Sequence, residues 1–320
     1  MQKIAINEQR ILNQTEFPLI FGPQTENITL ENTLGYISEN LDTILNELKN
    51  HGAILFRGFP INDAKDFNDF CLSFGWEDLP YIGGAAVRKN VYGVVFTANE
   101  APPDQPIPFH HEMAQVPKFP SHLFFYCDVE PSEGGETPLC LSNAVYERIN
   151  SERPEFIEKL RSLGVKYTRV LPDYDDPSSP IGRSWRSTFM TESKEEAEKK
   201  CIEHGGSYEW LENDCLKTVS QIFDPIRLDE RTGKLTWFNS IVAVYYGWKD
   251  SRNTPETAIT YGDGTPLNLE DVKFSKEVLD ELCVSIKWKK SDVILVDNRQ
   301  VLHARNSFVP PRRILAALFQ

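Results

Sequence analysis

Several common signatures are missing from this chain. Its 320 residues contain no apolar run approaching the roughly 20 residues that a bilayer span needs. Cysteine is scarce: the six residues at 71, 127, 140, 201, 215 and 283 are scattered, and no two form a C-x-x-C pair. That pattern predicts reduced thiols used mostly for packing. Positive charge is also in deficit, with 34 Lys and Arg against 47 Asp and Glu and a net charge of -13. A general nucleic-acid or anionic-membrane binder is therefore disfavoured, because both partners are polyanions. The opening residues Met1–Glu8 lack the apolar stretch of a secretory signal. Together these absences predict a cytoplasmic protein whose partner is a small molecule, and they leave the oligomeric state open. One buried arginine still outweighs the global field for a small anion.

What is present is ordinary globular material, 40% apolar and 25% charged. Residues 1–30 read as an extended N-terminal arm. Leu41, Ile44, Leu45 and Leu48 fall at i, i+3, i+4, i+7 and predict a helix over 34–50, stopped by Gly52. Ala53–Phe59 reads as a buried strand, and Phe67, Phe70, Cys71 and Phe74 as the core stripe of a second helix. After a Gly83-Gly84 connection, 91–96 and 121–129 read as strands, separated by a proline-rich loop at 101–108. Helices are expected near 144–149, 153–163, 194–205 and 275–284. Short strands are expected at 164–171, 216–221, 235–245, 257–262, 292–296, 301–307 and 313–319. The segment 173–212 opens irregularly, rich in Asp, Ser and Pro, and reads as a lid insertion. No repeat or clean linker divides residues 1–320, so one domain is predicted. It is mainly β with α insertions, a barrel or jelly roll.

The chemistry centres on Pro108-Phe109-His110-His111-Glu112. On a strand, alternate side chains share a face, so His110 and Glu112 point one way and His111 the other. Two histidines and a carboxylate leave three coordination positions open, which suits non-haem Fe(II). His303, in Val301-Leu302-His303-Ala304-Arg305, is the candidate third ligand. By itself H-x-E is a weak pattern that arises readily by chance. Thr137, in Gly134-Gly135-Glu136-Thr137, adds a hydroxyl where glycine permits close backbone approach. Arg313 enters the apolar strand Ile314–Phe319; if buried there it needs an anion, and a bidentate carboxylate fits best.

With His110-x-Glu112, Gly134-Gly135-x-Thr137, Asp297-Asn298-Arg299 before His303, and Arg312-Arg313, the chain resembles the taurine dioxygenase / clavaminate synthase-like family from about Asn50 onward. Phe96–Pro103 and Trp237-Phe238-Asn239 are closer in texture to the clavaminate synthase-like branch. The resemblance implies a double-stranded β-helix (jelly-roll) core flanked by helices. It implies His110, Glu112 and His303 as iron ligands, with Thr137 and Arg313 holding the carboxylates of 2-oxoglutarate. The implied reaction consumes O2 and 2-oxoglutarate, releases succinate and CO2, and oxidises an unactivated C–H bond by hydroxylation, desaturation or ring closure.

Two departures narrow this expectation. In taurine dioxygenase an arginine four residues beyond the cosubstrate arginine grips the sulfonate; Ala317 stands at that position here, which disfavours a taurine-like substrate. Halogenating members replace the carboxylate ligand with a small residue, whereas Glu112 is retained. An amino-acid-like carboxylate, in specialised metabolism, is the expected substrate. Arg88, Arg186, Asn239 and Arg305 are the candidate substrate contacts, each with a structural alternative (solvated charge, strand packing or salt bridge). A zinc deaminase is excluded, because Pro138-Leu139-Cys140 lacks the second cysteine. A cupin-like metal enzyme without 2-oxoglutarate and a non-catalytic small-molecule binding protein remain as alternatives.

Overall fold

The computed structural model describes every residue except 80, 82–87, 99, 100 and 180. The Gly83-Gly84 connection therefore lies outside the described residues. Two facing sheets form the centre. The larger has eight strands in the order Gln2–Lys3, Leu19–Gly22, Ala53–Phe56, Val293–Asp297, His122–Val129, Arg313–Phe319, Val95–Thr97, Asn90–Tyr92. The smaller has three, Leu139–Leu141, Val301–Arg305 and Ile107–His110. Their ladders remain separate hydrogen-bonded sheets, giving a jelly-roll sandwich rather than a closed barrel.

Strand alternation separates two apolar layers. On one face of the large sheet, Phe56, Phe124, Tyr126, Leu295, Leu315 and Phe319 pack beneath helices Leu30–Glu39, Leu41–His51 and Ala64–Leu72. On the other, Leu55, Leu123, Phe125, Ile294, Val296, Ile314 and Ala316 meet Leu139, Leu141 and Val301 of the small sheet. Behind the small sheet, helices Ser142–Glu152, Pro154–Leu163, Ile241–Gly247 and Leu269–Leu282 close a further core around Trp237 and Phe156. Residues 173–212 carry a small core of their own, where Trp185, Phe189, Ala197 and Cys201 meet Leu171 and Leu216.

Several sequence expectations need correction. Residues 1–30 are not merely an arm: Leu19–Gly22 is fully buried and pairs parallel to Ala53–Phe56. The helix expected at 34–50 is two helices meeting at Asn40, the first capped by Thr29, whose side chain accepts from the Asn32 N–H. Residues 91–96 form two strands, Asn90–Tyr92 and Val95–Thr97, paired across a turn at Gly93. Within 235–245, only Lys234–Trp237 is strand, and Ile241–Gly247 is helical. There the Asn239 side chain accepts from the Ile241 N–H, and Ile241, Val242 and Val244 are buried together. Burial of one helical face outweighs the β-propensity of Ile-Val-Ala-Val. Residues 255–258 are likewise helical before the strand Ile259–Tyr261.

Candidate metal and cosubstrate site

His110 ends the strand Ile107–His110 and lies opposite His303 in the antiparallel ladder. Their rings stand 4.3 Å apart, centroid to centroid. The strand stops there: Glu112 sits on a tight turn followed by Met113 at φ +58°. The turn is fixed by Asn298, whose fully buried amide accepts from the Glu112 N–H at 2.8 Å and donates to the Glu112 carbonyl at 3.0 Å and the Pro120 carbonyl at 2.8 Å. Glu112 therefore reaches the histidines through a clamped turn and not through strand alternation. His111 faces away as expected: its Nδ1–H donates to the Asn298 carbonyl at 2.6 Å, Nε2 is 2.9 Å from Ser142 Oγ, and the ring stacks on Phe238.

One potential ligand atom from each of His110, Glu112 and His303 lies within 4.8 Å of the other two. The donor set fits a divalent iron. His110 Nδ1–H donates to the Pro108 carbonyl at 2.9 Å, which leaves the Nε2 lone pair for a metal. Burial and then the neighbouring His303 lower the His110 pKa to about 4, so the imidazole is neutral at pH 7. His303 Nε2 is 3.6 Å from Glu112 Oε2. Burial alone would raise the Glu112 carboxyl, but Arg88, His303 and His110 outweigh it and hold the group well below the usual carboxylate range. Two imidazoles and one ionised carboxylate on one wall of a cavity form a facial ligand set.

That cavity, about 830 Å³, is lined by all three residues and by Thr137, Arg312, Arg305 and Arg88. Thr137 is buried, with its hydroxyl 3.3 Å from the Trp288 indole N–H and 3.5 Å from Arg312 Nη2. Arg312 Nε donates to the Gly135 carbonyl at 2.7 Å. Glycine is required at 135: φ is +71°, and a Cβ would meet Arg312 Cδ at 2.7 Å.

Arg313 is not the inward arginine. Its side chain is 49% exposed and pairs with Asp128 at 2.8 Å. Along this strand alternation puts Ile314, Ala316 and Leu318 in the core between the sheets and Leu315, Ala317 and Phe319 on the other face, so Arg312 lines the cavity and Arg313 points outward; the register shift opposite them leaves Asp128 of the facing strand beside Arg313. The position four residues beyond the inward arginine is then Ala316, whereas Ala317 packs on the opposite face. It is still an alanine, so the departure from a sulfonate-gripping arginine holds. Position in Pro-Pro-Arg-Arg could not distinguish the two arginines, because Ile314–Phe319 is apolar on both faces and so does not mark which alternate residues face the cavity.

The remaining candidates separate cleanly. Arg186 lies outside the cavity lining, bound to Asp173 and Glu192 and stacked on Trp185 and Tyr174. Asn239 is also absent from it: its amide donates to the Pro225 carbonyl and caps the Ile241 helix. Arg305 reaches the cavity but donates to the carbonyls of Ala101, Pro102 and Gln105, pinning the proline-rich loop. Arg88 does line the cavity, with Nη2 3.0 Å from Glu112 Oε2. Arg312 and Asn298 are the site residues that sequence reasoning did not single out.

Residues 13–318 match the family described as taurine catabolism dioxygenase TauD, TfdA family. The clavaminate synthase-like protein At3g21360 of Arabidopsis thaliana is 49% identical over 321 residues, covering 98% of this chain and 96% of that protein. The dapdiamide synthesis protein DdaC of Enterobacter agglomerans is 29% identical over 319 residues, covering 94% and 93%. Among solved structures, PvcB, an Fe, alpha-ketoglutarate dependent oxygenase from an isonitrile synthetic pathway, superposes with a TM-score of 0.52 at 14% identity, covering 99% of this chain and 93% of that one.

Proposed function

This chain belongs to the TauD, TfdA dioxygenase family and is a non-haem iron, 2-oxoglutarate-dependent oxygenase, and from that premise we propose which residues do the work and on what kind of substrate. His110, Glu112 and His303 hold the iron; Thr137 and Arg312 hold the carboxylates of 2-oxoglutarate. The observation that carries this assignment is the convergence of all five on one cavity. Iron with 2-oxoglutarate and O2 supplies the oxidation of an unactivated C–H bond, with succinate and CO2 released.

The protein's own contribution is positioning. Asn298 fixes the backbone of Glu112, the Pro108 carbonyl fixes the His110 tautomer, and Gly135 lets Arg312 lie against the Thr137 turn. Arg312 supplies a planar set of donors suited to a carboxylate, with Thr137 beside it. The buried walls exclude water, which favours reaction at the bound C–H bond over side reactions. Asp176, Ser178, Ser179 and Ile181 of the 173–212 insertion line the cavity, which supports a lid role for that segment within a single oxygenase domain.

The substrate in this reading is a small amino-acid-like carboxylate in specialised metabolism, supported by relatives named for dapdiamide synthesis and an isonitrile synthetic pathway. Cytoplasmic residence belongs to the same reading, supported by six free cysteines; among the described residues no helix is long and apolar enough to cross a membrane. Anaerobic addition of Fe(II) and 2-oxoglutarate is expected to give the weak visible charge-transfer band of the chelate. His110→Ala and His303→Ala should each abolish it; persistence of the band in both variants overturns the ligand assignment.

A further inference from the structure

A glutamate side chain turns about three bonds, and the Asn298 clamp fixes only the backbone of Glu112. Its carboxylate is held by Arg88, whose Nη2 donates to Oε2 at 3.0 Å, with the two side chains 4% and 9% exposed. His303 Nε2, at 3.6 Å from the same oxygen, stands beyond hydrogen-bonding distance. The arm that aims Glu112 at the histidines is therefore set by a buried ion pair, and the question passes to what sets Arg88.

Arg88 is placed by Tyr81. Its Cζ lies over that ring, 4.0 Å from the centroid, and 5.1 Å from the centroid of Phe96. The same Tyr81 ring carries a second guanidinium, that of Arg183, at 5.2 Å, within the range of a cation–π contact. Arg183 Nη1 also donates to the Tyr81 carbonyl at 3.2 Å. Arg183 belongs to the 173–212 insertion and is buried: Nη2 donates to the Ser187 carbonyl at 2.6 Å, and its own carbonyl accepts from Arg169 Nη2 at 3.1 Å. The two guanidiniums repel one another, and each has a carboxylate to offset this, Glu112 for Arg88 and Asp175 near Arg183. Contacts thus run without a break from the insertion to the carboxylate ligand, through Arg183, Tyr81, Arg88 and Glu112.

We propose that Arg88 is a positioning residue for the metal centre, holding the Glu112 carboxylate toward His110 and His303, and that Arg183 acts at one remove by holding Arg88 through Tyr81. The insertion then supports the metal site as well as lining the cavity. This rests on the ligand assignment above. Two effects of Arg88 on a bound cation oppose one another. Its charge repels the metal, whereas partners that orient a ligand commonly contribute about 10- to 100-fold to metal affinity. The proposal commits to the second as the larger.

The test titrates Fe(II) anaerobically into the full chain at saturating 2-oxoglutarate, with the chelate band reporting occupancy and a urea midpoint recorded for each variant. Arg88→Met is expected to bind Fe(II) about 10-fold weaker or more, and Arg183→Met about 5-fold weaker. Arg186→Met, in the same insertion but bound to Asp173 and Glu192, should change the affinity less than about 2-fold even where its urea midpoint falls as far. Because Arg183 acts only through Arg88, the double variant should lie within about 2-fold of Arg88→Met alone. Lysine at either position, which keeps the charge without the planar fork, should fall between the methionine variant and the unaltered protein, and provides the test if a methionine variant does not fold. The proposal is overturned if Arg88→Met binds Fe(II) as tightly as the unaltered protein or more tightly, if Arg183→Met differs no more than Arg186→Met, or if the two losses add in the double variant. Absence of the band in the unaltered protein would overturn the oxygenase reading and this inference together, whereas every other failure leaves that reading standing.

Discussion

The eight-stranded sheet buries apolar side chains on both faces, whereas the three-stranded sheet carries His110 and His303 on strands that are otherwise largely apolar. The large sheet is backed by an aromatic cluster in which Phe124 meets Phe70, Phe74, Trp76 and Phe319 at centroid distances of 5.1–6.2 Å. The small sheet is short, irregular between His303 and Arg305, and continued by a turn held through Asn298. The division is physical. A sheet covered on both faces tolerates little change in volume, and a short sheet with a bulge can aim a few polar side chains without disrupting the main core.

This division predicts opposite phenotypes for changes in the two sheets. His303→Ala removes a proposed metal ligand from the small sheet and is expected to abolish the charge-transfer band while the protein stays folded; a variant that unfolds instead would show that the two sheets share one stability. Phe124→Ala, at a fully buried position, should cost about 3–5 kcal/mol in urea unfolding and leave the band intact below the melting transition. Disappearance of the band while circular dichroism remains native would break the comparison from the other side. At the strand that borders the cavity, Arg312→Gln should weaken 2-oxoglutarate binding about 100-fold, roughly 3 kcal/mol, by leaving a carboxylate unmatched. Arg313→Gln should change it less than 3-fold, because Arg313 pairs with Asp128 at the surface. Equal effects at 312 and 313 would contradict the opposite facing of the two side chains.

How much was legible follows the same line. The candidate ligands His110, Glu112 and His303, which the structure brings together, were readable because chemistry restricts them: few residue types bind iron. The jelly-roll class was readable from many short strands interleaved with helices. What depended on long-range pairing was not readable. Leu19–Gly22 looks irregular beside Pro18 and Pro23, yet it joins the main sheet through pairing with residues more than thirty positions away. Ile241–Val244 has strand propensity, but the core it enters favours a helix. Arg88 and Arg186 look alike in sequence as arginines near loops; one is buried in a direct ion pair with Glu112 and the other is absorbed by Asp173 and Glu192. Arg313 adjoins the apolar strand in sequence, yet it shares its face with Leu315 and Ala317, and both faces of that strand are apolar, so the inward face of Arg312 is not marked in the sequence.

A loss smaller than those at Phe124 and Arg312 tests the large sheet by pH. His122 begins the strand His122–Val129 and stacks on Trp76 with centroids 3.9 Å apart. Burial lowers its pKa to about 4, from an ordinary value near 6.5. Between those values the unfolded chain binds a proton that the folded chain refuses, so the contribution of this group to stability is full above pH 6.5 and falls as the pH drops toward 4. Allowing for partial solvent screening, the loss between pH 7 and 4.5 should be about 2 kcal/mol. His122→Phe keeps a ring against Trp76 and cannot titrate, so its urea midpoint should fall less than that of the unaltered protein over the same range. Other buried histidines, His110 and His111, contribute to both proteins and cancel in the difference. Identical pH slopes for the two proteins would mean that His122 is solvated at the sheet edge, and that the apolar continuity of the large sheet stops short of its first residue.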